Sequence, residues 1–250
     1  MGLWDIYATR LNIKGATRRQ EHLLRERRYQ TMKIRDSLSY HIVSMDGVER
    51  EVAIIDTDNL DTKFIFSLPG EDIRNGSMVD WEDNHWLVTE RDANSEVYTR
   101  GKMEQCNYLL KWVDSDNEIH EQWCIIEDGT KYLTGEYEDR EFIVTRGDSR
   151  ISMTIARNEH TVKFDRDCRF LIDDPESPHM LAYALTKPLK LGGVFNGDGV
   201  YKFVLQEVNT TDLDNQELGI ADYYTHFPPA PSEEVEPPLD GRDSGKKVWL

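Results

Sequence analysis

From Leu38 onward the chain is cut into short β-like runs by dipeptides that reverse the backbone, and this rhythm dictates a small barrel or sandwich. The run "SYHIVSMDGVEREVAII" reads as a hairpin with Asp46-Gly47 at its tip, a pair that tolerates the positive φ of a type I′ turn. "KFIFSLPGEDIRNG" is a strand closed by Pro69-Gly70 and Asn75-Gly76. In "SMVDWEDNHWLVTERD" the chain runs from Met78 to Trp81, reverses at Asp83-Asn84 and returns from Trp86 to Thr89. "KMEQCNYLLKW" aligns Cys106, Tyr108, Leu110 and Trp112 on one face, and after "DSDN" the run "EIHEQWCII" aligns Ile119, Trp123 and Ile125. These strands predict a mainly β fold whose first unit is an SH3-like or OB-like barrel over residues 37–134. Six further candidate strands, "EFIVT", "ISMTIA", "TVKF", "CRFLI", "LAYALT" and "VYKFVLQEV", predict a second sandwich or barrel unit over 135–227. "TTDLDNQELGIADYYTHF" closes that unit as a loop with a short helix.

The two ends differ from this body. "ATRRQEHLLRERRYQTMKIRDS" pairs Thr17 with Gln20 at capping-box spacing and then runs without Gly or Pro, which predicts a helix from Arg18 to Arg35 in a basic arm over 1–36. The net charge is −17, yet residues 1–36 carry nine Lys or Arg against four Asp or Glu, so residues 37–250 carry −22. An acidic body of this strength argues against wholesale neutralisation of a phosphate backbone. Arg18, Arg19, Arg25, Arg27 and Arg28 leave the helix only a narrow apolar stripe, and they are expected to dock on an acidic partner. Residues 228–250 hold five of the nine prolines and end in "KKVWL", the composition of an extended tail in which Val248, Trp249 and Leu250 would be the anchor.

No catalytic signature emerges. Cys106, Cys124 and Cys168 form no C-x-x-C pair and are odd in number, which disfavours a zinc knuckle and a disulfide framework. The acidic runs from Asp56, Asp114 and Asp212 put Asp61, Ile119 and Glu217 where a calcium loop needs glycine, so all three are expected to be solvated turns. "GGVFNGDGV" lacks the Lys-Ser or Lys-Thr of a phosphate loop, and the seven histidines form no H-E-x-x-H. No catalytic, cofactor-binding or metal-ligating residue is expected. Trp81 and Trp86 could stack on a sugar or base, but their alternation with Val79, Leu87 and Val88 reads as core. The N-terminus has no apolar leader and no run approaches the ~18 apolar residues of a span, so synthesis in the cytoplasm without membrane association is expected.

The lines "MGLWD", "GSMVDWEDNHWLVTE", "RGKMEQCNYLLKW", "VKFDRDCRFLIDD", "YALTKP" and "GDGVYKFVLQEVNTTDLDNQELGIADYY" together cover much of residues 1 to 227. In overall texture they resemble a family of virion structural proteins from tailed bacteriophages and prophages of Gram-positive bacteria. The resemblance implies a place at the neck, where connector proteins form rings between portal and tail. Adaptor proteins there are usually helical, whereas head-closure or stopper proteins are built on a small β-barrel, so the strand content here implies head closure. It further implies self-association into a ring, portal, adaptor and tail proteins as partners, and viral DNA passing through the lumen without sequence-specific binding. Tail completion, neck decoration, or a carbohydrate- or receptor-binding β module are the alternatives.

Overall fold

The computed structural model describes residues 17–228 apart from 93, 129–149, 175–176, 178, 189, 191–192 and 196. It opens on helix α1 (Arg18–Arg35), whose first turn is closed by the expected capping box. The Thr17 hydroxyl accepts from the Gln20 amide at 3.2 Å, and the Gln20 side chain accepts from the Thr17 amide at 3.2 Å.

Six strands then close a barrel: β1 (Tyr40–Met45), β2 (Val48–Asp56), β3 (Thr62–Ser67), β4 (Met78–Trp81), β5 (Asn84–Arg91) and β6 (Arg100–Gln105). Their order is β1-β2-β3-β6-β5-β4, and Ser44↔Asp80 and Met45↔Val79 close the circle. Period-two alternation sends Val43, Met45, Val52, Ile54, Ile65, Val79, Trp86, Val88 and Met103 inward, and Ile73 packs on them from the loop after β3. The β1–β2 hairpin turns at Asp46 (φ 51°) and Gly47 (φ 77°), the type I′ pair expected there. The β4–β5 hairpin turns one residue earlier than expected, at Glu82 (φ 49°) and Asp83 (φ 62°), because Asn84 is already paired with Trp81.

The second sheet holds β7 (Tyr108–Val113), β8 (Ile119–Asp128), β9 (Arg150–Ala156), β10 (Arg169–Ile172), β11 (Leu181–Lys187), β12 (Val194–Phe195) and β13 (Asp198–Val208). The order is β10-β11-β13-β9-β8-β7, with β12 paired to β13. The sheet curls until its edge strands approach, and the Tyr108 hydroxyl on β7 donates to the Leu171 carbonyl on β10 at 3.0 Å. Phe164, Phe170, Phe203, Met153, Leu185 and Leu205 fill the interior of that curl. Strands β7 and β8, which the sequence pattern groups with the first unit, hydrogen-bond within this second sheet. "TVKF" forms a single 3₁₀ turn (Thr161–Lys163) instead of a strand. The Asn158 side chain captures the amides of His160 and Thr161 at 2.9 and 2.7 Å and diverts the backbone from a ladder. "EFIVT" lies outside the described residues, and the loop after β13 closes with the short helix α2 (Tyr223–His226).

Barrel and sheet share a seam. Strand β8 is apolar on both faces: Cys124 and Ile126 face the sheet interior, while Trp123 and Ile125 pack on Leu87 and Met78 of the barrel together with Cys106, Ala156 and Val200. Beside this cluster Gly76, at φ 89°, lies against the backbone of Gly199, so close that a Cβ at Gly76 would collide with the Gly199 carbonyl. Gly76→Ala is therefore expected to cost about 3 kcal/mol or more, because neither backbone can yield without opening the seam. Gly47→Ala, at a positive φ but in open space, should cost only about 1 kcal/mol. Urea denaturation of the two variants checks the contrast.

Candidate functional site

Helix α1 is 18 residues long and buries only Ile34, which packs on Ala53 and Leu68 of the barrel. Its C-terminal end is fixed by Arg35, whose guanidinium donates to both Glu51 carboxylate oxygens at 2.7 and 3.0 Å. Toward the other end Arg19 pairs with Glu96 at 2.6 Å, and Arg27 donates twice to the Glu96 carbonyl at 3.1 and 2.7 Å. Leu23, Arg27, Thr31 and Ile34 thus form the inner face, in step with the helical repeat. At 100° per residue Arg18, Arg25, Arg28, Tyr29 and Met32 fall within one third of the circumference on the outer face. Among the described residues Arg18, Arg25 and Arg28 form no ion pair, while Tyr29 and Met32 are 58% and 67% exposed. Three cations around an aromatic ring and a thioether are a surface that a partner can cover.

Of the expected docking residues, then, Arg19 and Arg27 serve the chain's own fold and Arg18, Arg25 and Arg28 face outward. Val248, Trp249 and Leu250 lie outside the described residues. Trp86 is 4% exposed in the barrel core, with Trp81 packed against it at a ring distance of 5.9 Å, so the pair is structural. The three thiols are all held above their ordinary pKa by burial, Cys106 at about 12.

A second polar region lies at the end of the curled sheet, around a cleft of about 490 Å³ lined in part by Asp114, His160, Lys163, Arg169 and Asp222. Asp114 is not the solvated turn residue expected from its acidic run: it is 8% exposed and accepts from Lys163 at 2.6 Å and from the Ser115 amide at 2.6 Å. The Lys163 hydrogen bond, outweighing the cost of burial, holds its carboxyl well below the usual range. The rings of His120 and His160 lie 3.9 Å apart between centroids, tilted by 31°, and turn Nε2 and Nδ1 toward Asp114 Oδ2, at 3.8 and 3.5 Å. These three side chains form a set that could hold a metal ion. Sequence spacing gives no hint of it, because Asp114 and His120 meet only through the β7–β8 hairpin and His160 arrives from the turn after β9.

Asp214 likewise departs from the solvated turn expected for its run. Its side chain is fully buried, and Arg169 grips both oxygens at 3.1 and 2.8 Å while also reaching Asp222. Burial pushes the Asp214 pKa up, but the Asp222 and Thr211 amides and Arg169 together push it further down. Through these bonds the cluster fastens the loop after β13 to β10.

Residues 12–105 match the family model of the YomX N-terminal domain. The match covers less than half of the chain. It takes in α1 and ends where β6 completes the barrel, leaving out β7 to β13. That family is phage-derived, and the match points to a phage protein. Neither the curated proteins nor the solved structures gave a match.

Removing the Asp214 carboxylate leaves Arg169 buried with only part of its partners, so Asp214→Ala should cost about 3 kcal/mol in urea denaturation. The folded pKa values of Asp114 and Asp214 lie below those of the unfolded chain, about 3.9. Their contribution is therefore complete above that pH and is lost as pH falls through the folded values. The urea midpoint of the wild type should fall with acid in that window, and the fall should be shallower in Asp214→Asn.

Proposed function

We propose that this protein is a non-enzymatic component of a tailed-phage neck, a ring-forming head–tail connector that joins the DNA-filled head to the tail. The observation that carries the reading is the helix α1, mounted on a closed β-barrel within the segment that resembles a phage-derived family, with one buried residue and a basic outer face that has no ion-pair partner among the described residues. Among the described residues no other segment covers that outer face, and a helix so exposed is suited to a neighbour. The occupant of this face is a second copy. Residues 37–250 carry −22 against +5 in the arm, so one copy's helix is complementary to the body of the next. A contact between two different surfaces of one chain is heterologous, and heterologous contacts that close make rings.

The same imbalance suits the passage of DNA. An acidic inner wall repels the phosphate backbone and lets a duplex slide without counterion release holding it. Portal or adaptor proteins on one side and tail proteins on the other are the remaining partners of this reading, and its location is the virion neck. A carbohydrate platform built on Trp81 and Trp86 is not favoured, because Trp86 is buried in the barrel core and Trp81 is half-buried against it.

Deletion of the gene from its phage tests the role. Heads and tails that accumulate separately are expected, and normally joined, DNA-filled particles from the deletion would refute it. Complementation with Arg25→Glu/Arg28→Glu should fail to restore joined particles, although surface changes of this kind alter the stability of the isolated protein by only about 0.5 kcal/mol each.

A further inference from the structure

We infer that Asp114, His120 and His160 form a binding site for a divalent transition cation of the zinc type, which clamps two loops at the open end of the curled sheet. Three observations converge. The ligand atoms Asp114 Oδ2, His120 Nε2 and His160 Nδ1 all lie within 4.8 Å of one another. Tetrahedral zinc with bonds of about 2.0 Å sets its ligand atoms about 3.3 Å apart, and the two edges from Asp114 Oδ2 are already 3.5 and 3.8 Å. A small rotation of the two imidazoles completes the triangle.

The second observation is that His120 Nε2 and His160 Nδ1 are shut off from solvent and stand 3.8 and 3.5 Å from Asp114 Oδ2, longer than a well-formed hydrogen bond. Buried polar atoms are almost always closely paired, and two that face one carboxylate oxygen at this distance mark a place where an electron-pair acceptor fits. The third is the surrounding support. The Ser115 amide and hydroxyl hold Asp114 Oδ1 at 2.6 and 3.1 Å, which leaves Oδ2 for the cation. Glu159 stands 3.4 Å from the far nitrogen of His160, the carboxylate–imidazole pairing that raises the basicity of a metal ligand.

Lys163 is the competitor, since its ammonium sits 2.6 Å from Asp114 Oδ2. It also lies 3.3 Å from Asp116, so it can pass to that carboxylate when a cation takes Oδ2. Two imidazoles and one carboxylate favour zinc over magnesium or calcium, which prefer oxygen ligands alone. The adjoining cleft, lined by Asp114 and His160, admits water as the fourth ligand.

Calorimetric titration of the full chain with zinc chloride tests the site, with magnesium chloride as the control. One equivalent of zinc and no magnesium should bind. Affinity should drop at least tenfold in His160→Ala and His120→Ala, and rise about tenfold in Lys163→Ala as the competing charge is removed. Should the histidine variants fail to fold, cobalt(II) on the wild type gives an independent readout: the His120 and His160 imidazole resonances should show large paramagnetic shifts and the other five histidines small ones. Absence of saturable zinc binding overturns the proposal. So does binding that is unchanged in both histidine variants, or cobalt shifts that spare His120 and His160.

Discussion

Everything else in the molecule is arranged around the seam where β8 and the backbone of Gly76 and Gly199 bring the barrel and the sheet into contact. A strand buried on both faces cannot alternate, which is why "WCII" reads as a continuous apolar run. Its two faces serve two cores, one inside the curled sheet and one against Leu87 and Met78. Polar contacts close the same boundary. The Asn75 side chain donates to the Gly193 carbonyl at 3.1 Å, and His85 stacks on Trp123 at 4.3 Å. Two β-units sharing buried apolar surface and backbone contact move together, since opening the seam exposes Trp123 and Ile125 to water.

On that joined body α1 is attached at its ends and open along its outer face. Ile34 and the Arg35–Glu51 pair fix one end, and Glu96 receives Arg19 and Arg27 near the other. Arg18, Arg25 and Arg28 have no ion-pair partner among the described residues, a geometry that suits the proposed assembly. A preorganised charged surface steers encounter and suppresses wrong partners more than it adds affinity, and in the proposed assembly Tyr29 and Met32 would supply the apolar contact that affinity needs.

Local chemistry was legible in the sequence wherever neighbours in the chain decide the structure. The Thr17–Gln20 capping box starts a helix, Asp46-Gly47 turns a hairpin, and alternation around Trp86 points that ring inward. What distant residues decide was not legible. Tyr108 and Leu110 alternate equally well in either sheet, and only the pairing of β8 with β9, far along the chain, settles which one. Asp114 and Asp214 read as solvated acids because the sequence does not show Lys163 or Arg169 arriving to neutralise them. The His120–His160 contact is hidden for the same reason, as it exists only once a turn and a hairpin meet. "TVKF" failed in the opposite direction, its alternation overridden by the Asn158 side chain.

Assembly depends on whether the basic helix of one copy meets the acidic body of another. Sedimentation velocity of the full chain across a salt series reads this directly. At low ionic strength a single closed oligomer is predicted, dissociating toward monomer as salt screens the charges over about 10 Å at 0.1 M and 3 Å at 1 M. A monomer at every salt concentration, at protein concentrations of tens of micromolar, would contradict it.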